Sequence, residues 1–105
     1  MYSIGLTFKL RPGCYPEYKK AHDELWPEIQ ETMAANEINM VIYYYKDRLF
    51  LHATAPTRES YERNYDNEAA ERWVEYMSNL IETDDQGELI FEEIEEAFSF
   101  GAFKN

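Results

Sequence analysis

The sequence predicts an α+β fold in one domain, residues 1–105, and three observations carry that expectation. The N-terminal stretch YSIGLTFKL alternates apolar and polar or small residues with the period of a strand. Two later segments place apolar residues three and four apart, as an amphipathic helix does. Between the two, NMVIYYYKDRLFLHATA reads as two strands around a short turn.

In the first strand Ile4, Leu6, Phe8 and Leu10 share a face, and the small Gly5 and Thr7 share the other. Arg11-Pro12-Gly13 breaks the strand, and Pro16 suits the first turn of a helix expected from about Tyr15 to Asn36. Inside that helix Pro27 removes its own N–H, so the helix either kinks there or a second one restarts with Pro27 in its first turn. The hairpin turns at Lys46-Asp47-Arg48. Thr57 is the expected N-cap of a short helical segment, and Asn67 that of a long helix reaching Glu82. The stripe of this long helix is Ala70, Trp73, Met77, Leu80 and Ile81. A last strand is expected from about Glu93 to Phe100, because Ile94, Phe98 and Phe100 fall on one face. The order is then β-α-β-β-α-β, the ferredoxin-like arrangement, with an antiparallel sheet and helices on one of its faces. Such a sheet leaves its other face bare and aromatic-rich, which predicts a homodimer.

Bulk composition narrows the function. Acidic residues outnumber basic ones 21 to 10, for a formal net charge of -11. That field repels phosphate backbones and anionic membranes, so no nucleic-acid or membrane partner is expected, while a neutral ligand is indifferent to it. Nine Tyr and six Phe in so short a chain exceed what its core needs and point to a pocket, an interface or both. One cysteine and two histidines make a zinc site of the usual ligands improbable, and no metal is expected. The N-terminus alternates and soon meets charge, unlike a signal peptide, and the expected compartment is cytoplasmic.

The chemistry-bearing stretch is EYKKAHDELWPEI, Glu17 to Ile29. Tyr18, His22 and Trp26 recur every fourth residue and form one helical stripe with Met33, beside Ala21, Leu25, Ile29 and Thr32. His22 therefore lies near the buried side. A histidine titrates near neutrality, so it is either an acid/base group in an aromatic pocket or, on the plainer reading, a partly buried side chain with satisfied nitrogens. His52 reads as a polar side chain on the sheet, and nothing beside Cys14 activates its thiol. Tyr43, Tyr44 and Tyr45 divide between the two sheet faces, mostly as sheet packing, with at least one hydroxyl able to reach a ligand. The acidic pairs Glu92-Glu93 and Glu95-Glu96 read as solvated edges or interface rims.

Two motifs carry a resemblance. Tyr18, His22, Trp26, Pro27 and Glu28 form Y-x-x-x-H-x-x-x-W-P-E, and Arg72, Trp73, Tyr76 and Met77 form R-W-x-x-Y-M on the second long helix. With the closing Glu95-Glu96-Ala97-Phe98, the chain resembles the L-rhamnose mutarotase family over nearly its whole length. The resemblance implies a dimeric α+β barrel of ferredoxin-like protomers that interconverts the α and β anomers of L-rhamnose with no metal or cofactor. It implies His22 as proton donor, with Tyr18 and Trp73 contacting the sugar; Trp26 is a further candidate wall. The chain departs from the pattern at four places. Val74 replaces a second tryptophan, Met40 a sugar-contacting tyrosine, Asn36-Glu37 a helix-end glycine, and Ala21 an arginine. These changes leave room for a related neutral 6-deoxy sugar as substrate. The rival readings are a non-catalytic sugar-binding dimer and another activity of the same fold, such as a cofactor-free monooxygenase.

Overall fold

The computed structural model describes residues 1–103. Its elements are β1 (Tyr2–Lys9), α1 (Tyr15–Asp23), α2 (Pro27–Ala35), β2 (Asn39–Tyr45), β3 (Arg48–Ala55), α3 (Arg58–Arg63), α4 (Glu68–Met77) and β4 (Glu92–Glu93). The strands form one antiparallel sheet in the order β2-β3-β1-β4. Leu6 stands opposite Leu51 and Phe8 opposite Leu49, so the apolar side of β1 meets the apolar side of β3. With Leu10, Ala53, Ala55, Tyr18, Tyr61, Met77, Leu80 and Ile81 these residues build the core between sheet and helices.

The expected helix from Tyr15 to Asn36 is two helices. The chain leaves α1 at Glu24 and restarts at Pro27, the first residue of α2, where a missing N–H costs no intrahelical bond. The Trp26 carbonyl accepts from Ile29 and Gln30, and the Gln30 side chain donates to the Leu25 carbonyl at 2.8 Å. The broken backbone is thus satisfied from within. Pro27 is the cause of the restart, and Trp26 sits at the bend.

α2 closes on Asn36 with Glu37 in the left-handed region, φ 53°. Ile38 N–H reaches the Met33 carbonyl and Glu37 N–H the Ala34 carbonyl, the bonding of a Schellman cap. The hairpin turn is the two-residue loop Lys46-Asp47, both at positive φ, with Tyr45 paired to Arg48. Thr57 and Asn67 cap α3 and α4 as expected, accepting from the N–H groups of Ser60 and Ala70.

Two boundaries differ from expectation. α4 ends at Met77 rather than Glu82, because Leu10 pairs with Ile81 and Lys9 accepts from the Glu82 N–H, which draws the following residues to the sheet edge. Leu80 and Ile81 are buried as the stripe required, but from a turn. The last strand pairs only Glu92 and Glu93 with β1, plus one bond from Ile94 N–H to the Gly5 carbonyl. β1 begins at Tyr2, so a ladder continued to Phe98 and Phe100 would run off its partner. The tail instead lies over the open sheet face, where Ile94, Phe98, Phe100 and Phe103 line a groove with Ser3, Tyr43, Phe50 and His52. Phe98 and Phe100 remain 83% and 80% exposed, and Tyr43 and Tyr45 66% and 63%.

Candidate active site

A cavity of about 620 Å³ opens between the helices and the covered face of the sheet. Leu6, Phe8, Leu49 and Leu51 form its floor, and Met40, Ile42 and Tyr44 line it from β2. α1 contributes Tyr18, Lys19, His22 and Asp23, and α4 contributes Trp73, Val74 and Met77. The walls are mostly apolar with a few polar groups, the usual composition of a small-molecule site.

His22 is held by its own helix. Nδ1 lies 2.9 Å from the Tyr18 carbonyl, which can only accept, so the proton is on Nδ1 and the Nε2 lone pair is left for a ligand. The ring packs on Tyr18 at 4.2 Å between centroids and meets the edge of Trp73 at 5.2 Å and 77°. Burial is the larger influence on the imidazole and holds its pKa below the ordinary histidine value, while the bond to Tyr18 pulls the other way. His22 is therefore neutral at pH 7. Burial pushes the Tyr18 phenol well above its ordinary value, so it stays a protonated donor.

Of the residues singled out from sequence, Tyr18, His22 and Trp73 meet in the cavity. Trp26 stands one layer back. It packs edge-to-face on Trp73 at 5.1 Å and stacks with Tyr76 at 6.0 Å and 12°. Tyr76 in turn donates to Glu17 at 3.0 Å, tying α4 to α1. His52 is remote from the cavity: it lies on the opposite sheet face, bonded to Ser3 at 2.9 Å. Among the described residues no group of His, Cys, Asp or Glu is placed to hold a metal ion, and no helix is long and apolar enough to cross a membrane.

Sequence reasoning missed several residues. Tyr15 stacks on Tyr44 at 3.8 Å and 15°, and both line the cavity. Tyr15 is the missed member of that pair; Tyr44 shares its strand face with Met40 and is the one residue of the tyrosine run that lines this cavity. Lys19 and Asp23 line the cavity as an i,i+4 ion pair at 2.7 Å, a spacing legible in the sequence. Asn64, at the end of α3, carried no signal at all.

The family model described as L-rhamnose mutarotase matches residues 3–100. The chain belongs to the L-rhamnose mutarotase family. Curated relatives named L-rhamnose mutarotase include one from Listeria monocytogenes, 30% identical over 93% of this chain and 97% of the relative. Another, from Bacillus subtilis, is 28% identical over 80% of this chain and 84% of the relative. The crystal structure of an L-rhamnose mutarotase from Formosa agariphila superposes with a TM-score of 0.80, covering 96% of this chain and 100% of that one. At 21% identity this last likeness establishes a common fold. Family membership also locates the motif departures: Met40 and Val74 both line the cavity, so the changed positions belong to its wall.

Proposed function

We propose that this chain is a cofactor-independent mutarotase that interconverts the α and β anomers of L-rhamnose or a related neutral 6-deoxy sugar. The observation that carries the reading is the state of His22: a neutral imidazole, fixed through Nδ1, with a free Nε2 in an apolar cavity beside Tyr18 and Trp73. Opening the ring requires that the anomeric hydroxyl lose a proton and the ring oxygen gain one. Both oxygens are bonded to the same carbon, so one nitrogen can serve both. Nε2 takes the anomeric proton, the bond from the anomeric carbon to the ring oxygen breaks as the carbonyl forms, and the imidazolium returns the proton to the ring oxygen. Rotation of the aldehyde and reversal of these steps give the other anomer. A group whose pKa lies near the working pH is suited to both halves, and a single one contributes about 10²–10⁴-fold. Tyr18 donates to a sugar hydroxyl, and Trp73 lies against the apolar C–H face of the ring.

The protomer is taken as ferredoxin-like, an assignment supported by the strand order β2-β3-β1-β4. The open face, with Tyr43, Tyr45 and the exposed tail phenylalanines, supports pairing with a second copy as a dimeric α+β barrel. The unpaired Cys14 accords with a cytoplasmic location. The competing reading, a sugar-binding dimer without turnover, draws on the apolar Met40 and Val74 in the cavity wall.

Saturation-transfer NMR between the anomers of L-rhamnose decides between the two. Faster exchange with the protein, abolished in His22→Ala, is the expected result. Sugar binding without acceleration selects the binding protein, and no effect with L-rhamnose, L-fucose or other neutral sugars removes the mutarotase.

A further inference from the structure

The side-chain oxygen of Asn64 is buried without a hydrogen-bond partner among the described residues. Asn64 is the C-cap of α3 and only 6% exposed, and it lines the same cavity as His22. Its backbone is fully engaged: its N–H reaches the Ser60 and Tyr61 carbonyls, and its own carbonyl accepts from the Asn67 side chain at 3.1 Å. That asparagine caps α4, so the position of Asn64 is anchored at the junction of two helices. Yet its side-chain oxygen, Oδ1, has no hydrogen-bond partner among the described residues. A buried amide oxygen without a partner is a standing cost, and native folds rarely carry one without a use for it.

The other polar groups of the cavity sharpen the point. Lys19 and Asp23 hold each other, Thr32 donates to the Glu28 carbonyl, and Tyr44 donates to Asp47, while Tyr15, Tyr61 and Tyr65 bring further phenols to the wall. A pyranose buried here brings several hydroxyls, and each needs a partner to offset the loss of water. Tyr18 and His22 Nε2 supply two on the α1 side. Met40 and Val74 supply none from β2 and the outer turn of α4.

We propose that Asn64 is a specificity-determining residue of this site, its side-chain amide taking one hydroxyl of a neutral pyranose whose anomeric centre lies at His22. Oδ1 is shut off from solvent in the free protein, so the contact requires the amide to turn toward the cavity; Oδ1 then accepts the hydroxyl hydrogen, and a further half-turn offers N–H₂ instead. The site then discriminates for a sugar that carries a hydroxyl at that position over the analogue that lacks it, because the deoxy analogue leaves the amide unpaired again.

The inference rests on the mutarotase reading, and the test separates the two. Anomer exchange is measured by saturation-transfer NMR for wild type, Asn64→Leu and Asn64→Ala, with L-rhamnose and its 2-, 3- and 4-deoxy analogues, alongside thermal melts of the free proteins. For wild type, one deoxy analogue is expected to show a KM at least ten-fold above that of L-rhamnose. In Asn64→Leu the KM for L-rhamnose rises at least ten-fold, and that same analogue loses its handicap. The free Asn64→Leu protein melts at or above the wild-type temperature, because an unpaired buried polar group has been replaced by an apolar one; a merely structural asparagine would instead lower it. The inference is overturned by unchanged KM in both variants, or by a wild type indifferent to all three deoxy positions. A wild type that accelerates exchange for no sugar brings down the mutarotase reading itself.

Discussion

Trp26, the residue at the break between α1 and α2, meets Trp73 of α4 edge-to-face, with ring centroids 5.1 Å apart and planes at 86°. Pro27 is what puts it there. By ending α1 one residue past His22, it lets Trp26 back the tryptophan that His22 touches, rather than continue the stripe along a straight helix. The relation is testable by a double-mutant cycle of Trp26→Leu and Trp73→Leu. Edge-to-face aromatic pairs contribute about 0.5–1.5 kcal/mol beyond their buried area, and a coupling in that range is expected in chemical denaturation. Strict additivity would mean that the contact transmits nothing.

His22→Gln retains a polar side chain of similar reach but cannot shuttle a proton. Exchange is expected to fall by about 10²–10⁴-fold while L-rhamnose still shifts the melting temperature. Equal loss of both would make His22 a binding or structural residue.

The neutral form of His22 begins the proposed reaction, and its pKa is depressed by burial. kcat/KM should therefore rise with pH through a value below 6.5 and level off above it. Stability follows the same group. Unfolding releases a histidine of ordinary pKa, about 6.5, that binds a proton more readily than the folded one. The His22 contribution is complete above the unfolded pKa and is lost as pH falls through the folded one. The difference in stability between wild type and His22→Gln should shrink over that acid window. A difference flat from pH 7 to pH 5 would contradict the depressed pKa.

Glu37 occupies a left-handed position that glycine adopts without strain. Relief of that strain is worth about 1 kcal/mol, so Glu37→Gly should raise the melting temperature by several degrees without altering exchange kinetics. No stabilisation would mean that the glutamate compensates by contacts of its own.

Tyr43 stands on the open sheet face, away from the cavity and two-thirds exposed (66%). If that face is the dimer interface, Tyr43→Glu buries a carboxylate on the partner sheet, and light scattering should show a protomer where the wild type shows a pair. A wild type that is monomeric at all concentrations would remove the barrel.

Much of this was legible in the chain. Alternation determined β1, β2 and β3, because a sheet with one covered face demands period two, and the side-chain caps Thr57 and Asn67 determined where α3 and α4 begin. The spacing of Tyr18 and His22 determined that the two share a helical face, since a helix returns to the same side every fourth residue. What local pattern does not contain, the tertiary structure decided. Whether the chain kinks or restarts at Pro27 was open in the sequence; the structure shows the restart, with Trp26 at the bend against Trp73 of a distant helix. The ends of α4 and β4 were decided by which backbone groups had partners within reach, Lys9 and Leu10 for one and the short edge of β1 for the other. Asn64 is the clearest case: nothing in its sequence setting marks it, and only packing shows its side-chain oxygen buried beside the cavity of His22 with no partner among the described residues.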